Sequence, residues 1–525
     1  MAVYGIDLGT CYSCIARNDG AGSVAPITFE TSEKGTFIPS VVYYHNKSGV
    51  PIVGNRGKSC LSTQPERTKA FVKREMDKDF CESEVLIVDN KRQISPIEPS
   101  ACILKYLVDT ANRENAGRPA IHQAVITIPA KFDEKQRART KLAAELAGIE
   151  VLGLIQEPTA AAVAYDIPAG YTVLVFDLGG GTLDISIVTR DKDGHKIIGT
   201  PVGDGHLGGM DWDEKIVELA FRKIGRRPDR SNQKEWNRFM SKAEKIKQAL
   251  SGKDDVVLDY EVLDGVYFFN EDEEIEIERS EFESACVPLL ERCWAVVDKA
   301  IANAKAENPN LKIDFFLTVG GSSIMPMIRK GLAARYGAEY GVGKAESDWL
   351  RINKPETAIA IGAAKYAQLL LARKNTVNDK ATHSYGILIK QPDDKGVMHD
   401  VIKNLIKADD PITIGKKVPG NFTLEKSARA ISIEVYETDS SKPYVPYDKK
   451  LHKPINSEAI QFGKEMPAET QVAITINRDS NGLIKFILQC GDIQKTVDAT
   501  PYEHLIDAET RKQIEHSLSL MEQNS

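Results

Sequence analysis

From residue 1 to about 370 the chain alternates short apolar runs with stretches of helical period, the pattern of sheets covered by helices on their faces. Strands are expected at Ala2 to Asp7, Ile121 to Ile128, Tyr171 to Phe176, Leu183 to Thr189 and Phe315 to Val319. Asp133 is placed to cap a helix beginning at Glu134, Pro158 to open one reaching Tyr165, and Gln233 to Leu250 reads as a long amphipathic helix. A polar stretch, Asn375 to Thr382, then breaks the pattern as an interdomain linker would. Beyond it the period drops to two. Ile431, Ile433 and Val435 alternate with Ser432 and Glu434, as Val472, Ile474 and Ile476 do with Ala473 and Thr475, and Asp479-Ser-Asn-Gly482 reads as a hairpin turn into Leu483 to Gln489. Most of these alternating residues are expected in a sandwich core rather than in a binding pocket. The tail from Tyr502 has room for one short helix, with a polar end expected to fray. The organisation read from the pattern is an α/β region over 1–374, a linker over 375–382, an all-β sandwich-like unit over 383–499 and a helical tail over 500–525.

A chain of 525 residues exceeds one hydrophobic core and predicts two to four domains. A formal net charge of −7 argues against a general nucleic-acid binder, which needs a basic surface to release counterions. The local cations Arg222, Lys223, Arg226, Arg227 and Arg230 read as a solvated helix end and loop. Eight scattered cysteines suggest no disulfide framework and fit a reducing compartment. Cys11-Tyr-Ser-Cys14 matches a C-x-x-C pattern, but no second pair completes a metal cage. Cys286 and Cys293 share a helical face and read as small buried hydrophobes. With no leader pattern and no apolar run of membrane-spanning length, a cytoplasmic protein without membrane contact is expected.

The candidate chemistry lies in two glycine-rich stretches, Asp7-Leu-Gly-Thr10 and Asp177-Leu-Gly-Gly-Gly-Thr182, each placed directly after a strand. Glycines let backbone N–H groups approach phosphate oxygens without an intervening Cβ. The acid ending each strand would repel phosphate but can hold the hydrated divalent cation that accompanies a nucleoside triphosphate. Either stretch alone is as well explained by a structural turn; as a pair they predict a nucleotide gripped from two sides.

Further motifs make the prediction specific. Val3-Tyr-Gly-Ile-Asp-Leu-Gly-Thr10, Ala124-Val-Ile-Thr-Ile-Pro-Ala130, Gln156-Glu-Pro-Thr-Ala-Ala-Ala162, Val175-Phe-Asp-Leu-Gly-Gly-Gly-Thr182, His206-Leu-Gly-Gly209 and Val319-Gly-Gly-Ser322 stand in the order of the seventy-kilodalton heat-shock chaperones. The chain resembles a DnaK-type protein over its first 370 residues, and more weakly, by strand pattern, beyond them. The resemblance implies an actin and sugar-kinase-like ATPase domain, two lobes around a nucleotide cleft, followed by a β-rich peptide-binding domain. It implies ATP and ADP with Mg²⁺ and an accompanying K⁺ as cofactors, slow ATP hydrolysis, and extended or unfolded polypeptide clients. A J-domain co-chaperone and a nucleotide-exchange factor are the partners it implies.

Carried over position by position, the resemblance implies that Lys73 is the catalytic lysine and that Glu157 couples the metal's water shell to motion. Asp7 and Asp177 would hold the hydrated metal, with Asp177 also orienting water and Asp184 in support. Gly9, Thr10, Cys11 and Tyr12 on one side, and Gly179, Gly180, Gly181 and Thr182 on the other, would hold phosphates, joined by Gly208 and Gly209. Glu244, Lys247, Gln248 and Ser251 on one helix, with Gly320, Gly321, Ser322 and Ile324, would hold the adenosine. Taken without the resemblance, Lys73 reads as a surface lysine, Glu157 as a helix-capping acid and the charges around Glu244 as a solvated face.

Four departures stand out. Cys11 replaces a threonine, and Ile324 and Gln248 stand where relatives place arginines that stack on adenine, which predicts weaker nucleotide binding. The linker Val377-Asn-Asp-Lys-Ala-Thr382 lacks the leucines that dock on the first domain in relatives, which predicts weak or rewired coupling. Only about 25 residues follow the β unit, so a helical lid is expected to be vestigial. A nucleotide-binding interaction module or co-chaperone, a small-molecule kinase on the same fold and an actin-like filament former remain as alternatives.

Overall fold

The computed structural model describes residues 2–20, 23–29, 35–114, 119–192, 194–227, 229–258, 274–352, 354–372, 377–378, 383–408, 410, 416–417, 422–478, 483–501 and 505–523. Its α/β region is one plan used twice. The first sheet contains β1 (Val3–Asp7), β2 (Tyr12–Asn18), β3 (Val24–Pro26), β4 (Gln123–Ile128) and β5 (Glu150–Gln156), in the order β5-β4-β1-β2-β3. The second contains β6 (Thr172–Leu178), β7 (Leu183–Asp191), β8 (Gly194–Asp204), β9 (Phe315–Val319) and β10 (Leu350–Arg351), in the order β10-β9-β6-β7-β8. In each, the central strand pairs in parallel with the later strand beside it and antiparallel with the strand that follows it in sequence. The five expected strands are present, with ends shifted by up to two residues. Asp7 and Asp177 thereby reach the same place, the C-terminal end of a central strand, where open α/β sheets bind their ligands. Strand β6 is buried at every position from Thr172 to Leu178, as a strand covered on both faces must be.

Helices α1 (Asn55–Thr63), α2 (Ile97–Glu114), α3 (Glu134–Leu146) and α4 (Glu157–Ala164) belong to the first half, and α5 (Gly209–Lys223), α6 (Gln233–Gly252) and α7 (Ala358–Leu371) follow. Helix α3 starts where expected: Asp133 accepts from the Gln136 N–H at 2.7 Å, and the Gln136 side chain accepts from the Asp133 N–H at 3.0 Å. Helix α4 starts one residue earlier than expected, so Pro158 is its second residue and Glu157 its first. Helix α6 turns Phe239, Ala243, Ile246 and Leu250 into the second core. Helix α7 returns from the second half to the first sheet, packing Ile359 and Ala363 with Val3, Val125, Ile155 and Ala160. The approach is close enough that a Cβ on Gly362 would stand 1.8 Å from the Ala160 carbonyl oxygen. Helices α4 and α7 therefore form the joint between the halves.

The β-rich unit is two packed sheets. One has the order Tyr444–Pro446, Met398–Ile406, Ser384–Pro392, Ala428–Thr438, Asn456–Met466. The other is built on Gln471–Arg478, Ile484–Cys490 and Ile493–Asp498, with Lys416–Lys417 and Phe422–Thr423 pairing to the first of these. Ile433 and Val435 from one sheet and Val472, Ile474 and Ile476 from the other share a buried core, with Ile431 packed against it. The alternation thus marks the sandwich interior. Antiparallel pairing of Arg478 with Ile484 flanks the expected hairpin turn, which itself lies outside the described residues.

Two segments depart from expectation. Val377–Asn378 (β11) pairs in parallel with β8, opposite His195 and Lys196, so this part of the linker docks through its backbone despite its polar sequence. The rest of 375–382 lies outside the described residues. The tail forms α8 (Ala508–Gln523), longer than the short helix expected and buried as far as Met521; the last residues of the polar end, expected to fray, lie outside the described residues. Leu505, Ile514, Leu518 and Met521 lie in the first half's core with Ile97, Ala101 and Leu104. Each contributes on the order of 1.5–3 kcal/mol of apolar burial, enough to dock a helix of four turns. Ser517 donates to Glu98 at 2.8 Å, and Glu522 pairs with Lys105 at 3.0 Å. The β unit also touches the first half, where the Ile484 N–H donates to Glu134 Oε1 at 2.5 Å.

All eight cysteines are free, with Cys286 and Cys293 buried as expected. Arg222, Lys223, Arg226, Arg227 and Arg230 are exposed at the end of α5 and in the loop after it. Among the described residues no helix is long and apolar enough to cross a membrane.

Candidate functional site

The two glycine-rich turns meet face to face. The first leaves β1 at Asp7 and enters β2 at Tyr12; the second leaves β6 after Leu178 and closes into β7, with the Gly179 N–H donating to the Thr182 carbonyl at 3.0 Å. A Cβ on Gly180 would stand 2.3 Å from Cys11 Sγ, and one on Gly181 would stand 2.9 Å from Thr10 Cγ2. A third strip crosses behind them at the start of α5. Gly209 and Met210 donate their N–H groups to the carbonyls of Gly179 and Gly180 at 3.0 and 2.9 Å, and a Cβ on Gly208 would stand 2.3 Å from the Gly181 carbonyl carbon. The glycines let three backbones converge into a cradle, with the Thr10, Cys11 and Arg74 side chains packed against the second turn.

Acids and one lysine line its floor. Asp7 accepts from the Thr127 hydroxyl at 2.8 Å, and Asp177 pairs across the ladder with Asp184. Lys73, in the short 3-10 turn Val72–Glu75, forms an ion pair with Glu157 at the start of α4. Glu157 is therefore the lysine's partner and not the helix-capping acid that position alone suggests. Burial pushes the Asp7 carboxyl up to about 6, with Lys73 opposing and Glu157 adding to the rise. Burial does the same to Asp184, also to about 6, and holds Asp177 well above the usual range, reinforced there by Glu157, Asp184 and Asp7. Burial alone would lower Lys73, but Glu157, Asp7 and Asp177 outweigh it and raise it. Four carboxylates, those of Glu157 and Asp177 buried and those of Asp7 and Asp184 partly so, around one ammonium are a surplus of negative charge that a cation would relieve, so the donor set fits a divalent ion. Among the described residues no three His, Cys, Asp or Glu side chains converge to bind a metal directly, and the hydrated ion expected from the sequence does not require it.

The far end of the cleft is built on α6. Glu244 accepts from the Tyr12 hydroxyl at 2.8 Å and from Lys58 of α1 at 2.5 Å, so Tyr12 and Lys58 of the first half are tied to the second. Gln248 donates to Glu244 at 3.2 Å, and Ser251 to the Lys247 carbonyl at 3.2 Å. Lys247 is buried, paired with Asp213 of α5 at 2.7 Å and donating to the Gly209 carbonyl at 2.7 Å. Gly320, Gly321 and Ser322 follow β9; a Cβ on Gly320 would stand 2.8 Å from Asp177 Oδ1, and Ser322 Oγ lies 2.3 Å from where a Cβ on Gly209 would be. Ile324 ends the same turn with 45% of its surface exposed. Burial pushes the Cys11 thiol up to about 11, so at neutral pH it is a neutral lining group rather than a reactive thiolate.

The site residues expected from the sequence thus come together, with Gly9 at the turn between β1 and β2, where a Cβ would stand 2.1 Å from the Tyr12 carbonyl oxygen. Sequence reasoning missed Lys58, Arg74, Asp213 and Glu356. Arg74 donates to the Gly181 carbonyl, and Glu356 Oε1 lies 3.3 Å from where a Cβ on Gly321 would stand. Arg74 adjoins Lys73 and was legible as its neighbour; Lys58 and Asp213 carry no local signal, because only the tertiary fold brings them to α6.

Comparison with known proteins covers these motifs and extends beyond them through the β-rich unit. A family model described as Hsp70 protein matches residues 3–524. A protein described as Chaperone protein DnaK from Mycoplasmoides gallisepticum (strain R(low / passage 15 / clone 2)) is 31% identical over 494 residues, covering 92% of this chain and 77% of that relative. Another of the same description, from Mesomycoplasma hyopneumoniae (strain J / ATCC 25934 / NCTC 10110), is 35% identical over 368 residues, covering 69% of this chain and 57% of that relative.

Proposed function

The chain belongs to the Hsp70 family, and from that premise we infer that it is an ATP-dependent chaperone that hydrolyses ATP slowly and couples the cycle to binding extended protein segments. The observation that carries the reading is the glycine cradle over a floor of Asp7, Asp177, Asp184 and the Lys73–Glu157 pair. In this reading residues 1–374 are the ATPase domain, 375–382 the linker, 383–499 the peptide-binding domain and 500–525 the remnant of a lid. Gly9 to Tyr12 and Gly179 to Thr182 offer N–H and hydroxyl donors to phosphate oxygens. Lys73 neutralises the terminal phosphate and orients the attacking water, Glu157 holds the lysine, and Asp177 accepts from that water. Thr182 supports Asp184 by donating its hydroxyl. Asp7 and Asp177 hold a hydrated Mg²⁺ with an accompanying K⁺, which supplies the charge that lets a polyphosphate enter an acidic pocket. Glu244, Gln248 and Ser251 serve the ribose and base from one side, and Gly320, Gly321, Ser322 and Ile324 from the other. Lys247 already spends two of its three donors on Asp213 and Gly209, leaving one for the nucleoside.

The clients proposed are extended polypeptides taken by backbone pairing and an apolar pocket. A J-domain protein and an exchange factor are proposed partners, in a cytoplasmic setting. The test of the function is single-turnover ADP formation from Mg-ATP with no acceptor present. Slow turnover that rises several-fold on adding an unfolded apolar peptide is expected. Turnover that appears only with a small-molecule acceptor would assign a kinase instead, and nucleotide binding without turnover would assign an interaction module.

Loss of the two stacking arginines sets the affinity. With Ile324 and Gln248 in their places, ATP binding weaker than nanomolar is expected by calorimetry, and Ile324→Arg should tighten it by up to about tenfold, since one cation–π contact is worth on the order of a kcal/mol. Nanomolar binding by the native chain, or no gain in the variant, would count against adenine lying over Ile324.

A further inference from the structure

Lys131 lies outside every glycine-rich motif, yet its ammonium reaches the floor of the cleft. It stands in the turn between β4 and α3, where the Phe132 N–H donates to the Pro129 carbonyl at 3.2 Å. The backbone on both sides of it is pinned. The Ala130 carbonyl accepts from Gln156 Nε2, one residue before Glu157, at 3.3 Å, and the Phe132 carbonyl accepts from Arg137 Nε at 3.0 Å. Ala130 and Phe132 are buried while Lys131 is exposed, so a fixed turn of the first half presents the lysine to the second. Lys131 Nζ lies 3.5 Å from the Gly203 carbonyl oxygen on β8, and Gly203 stands directly opposite Asp184 in the β7–β8 ladder. A Cβ on Gly203 would stand 2.4 Å from Asp184 Oδ1, so the carboxylate lies against the same residue that the ammonium meets. The acids facing Lys131 are Asp184 and Asp204, with Lys299 the neighbouring cation. Asp204 is already met by Arg292 at 2.7 Å and by the His206 N–H at 3.0 Å, which leaves Asp184 as the acid whose charge Lys131 offsets. Burial and Glu157 push the Asp184 carboxyl up, and of the two lysines that oppose the rise Lys131 acts more strongly than Lys73.

We propose that Lys131 is a positioning residue of the site, a second lysine that carries positive charge from the first half across the cleft to Asp184 of the second. Lys73 is held by Glu157 at one end of the acidic floor, and Lys131 serves the other end. A charge supplied by the opposite half is felt only while the halves are closed, because the attraction falls with separation. Closure therefore brings the charge that balances Asp184 beside the polyphosphate. The role in turnover rests on the nucleotide reading above; the pairing of Lys131 with Asp184 does not.

The test is a double-mutant cycle on the full chain without nucleotide, followed by turnover. Lys131→Gln should lower the melting temperature by about 2 °C in the native chain and by less than about 1 °C in Asp184→Asn, where the charge it offsets is gone. A lysine that only meets the Gly203 carbonyl would cost the same in both backgrounds, so equal shifts would overturn the proposal. In single-turnover ADP formation from Mg-ATP, Lys131→Gln should be about five- to tenfold slower than the native chain and Lys131→Arg within about threefold of it, because charge rather than shape is required. Loss of rate in both variants alike, or in neither, would equally overturn it. A native chain that forms no ADP would count against the nucleotide reading, and the melting cycle would then still decide the pairing with Asp184.

Discussion

Lys73→Ala should lower single-turnover ADP formation by about 10²–10³-fold while weakening ADP binding less than about tenfold, because a donor aimed at developing charge acts mainly on the transition state. Among the described residues the side chain it removes is the one lysine paired with Glu157, and it lies among Asp7, Asp177 and Glu157. Removing it has a second consequence that the rate alone would confuse with the first. Glu157 is 7% exposed, and breaking a buried ion pair strands a charge at a cost of about 3–5 kcal/mol. The single variant is therefore expected to melt at a lower temperature. Lys73→Ala with Glu157→Gln removes the stranded charge, so it should recover most of the melting temperature and none of the rate. A double variant that regained the rate would show that Lys73 acts by holding Glu157 and not by touching the phosphate. A single variant within tenfold of the native rate would remove the lysine from the reaction altogether.

The site was legible in the sequence to the extent that its backbone was. Asp7, Asp177 and the glycines announce themselves because a strand ending in an acid and followed by glycine is a local pattern, and the sheet topology then needs only to repeat itself to bring the two turns together. The sandwich was legible for the same reason, since a period of two along Ile431 to Val435 and Val472 to Ile476 fixes which face is buried. Contacts made by long side chains across the fold were not. Lys58 and Asp213 reach Glu244 and Lys247 from other helices, and neither spacing nor composition marks them. The linker's polar sequence offers almost no apolar side chain to dock, and the pairing of Val377–Asn378 was not legible because it is made by main chain, which almost any sequence can supply. The tail's helix was judged short because 16 residues with only Ile514, Leu518 and Met521 in a core form a weak helix in isolation and become stable only on the surface they bury.

Gly208→Ala should damage the protein's cradle through space alone. The Gly208 backbone is extended, with φ −159°, so alanine meets no conformational strain there and the whole effect comes from space. The added Cβ would stand 2.3, 2.4 and 2.5 Å from the carbonyl carbon, nitrogen and Cα of Gly181. No side-chain rotamer can relieve a contact with main chain, so either the second glycine turn or the start of α5 has to move by about 1 Å, and overpacking of this kind costs about 1–3 kcal/mol. Gly181 is itself pinned by the Arg74 contact to its carbonyl, and the start of α5 by the Gly209 and Met210 N–H bonds to Gly179 and Gly180. The displacement therefore passes into the surface proposed to meet phosphate. An error of 1 Å in such a surface costs on the order of a hundredfold in rate, so single-turnover ADP formation should fall by about that factor and ATP affinity by tenfold or more. Gly205→Ala, three residues earlier with nothing within 4 Å of its Cβ, should leave both unchanged. If alanine at 208 left turnover and affinity at native values, phosphate would not lie against the second glycine turn, and the nucleotide would have to be sought elsewhere in the cleft.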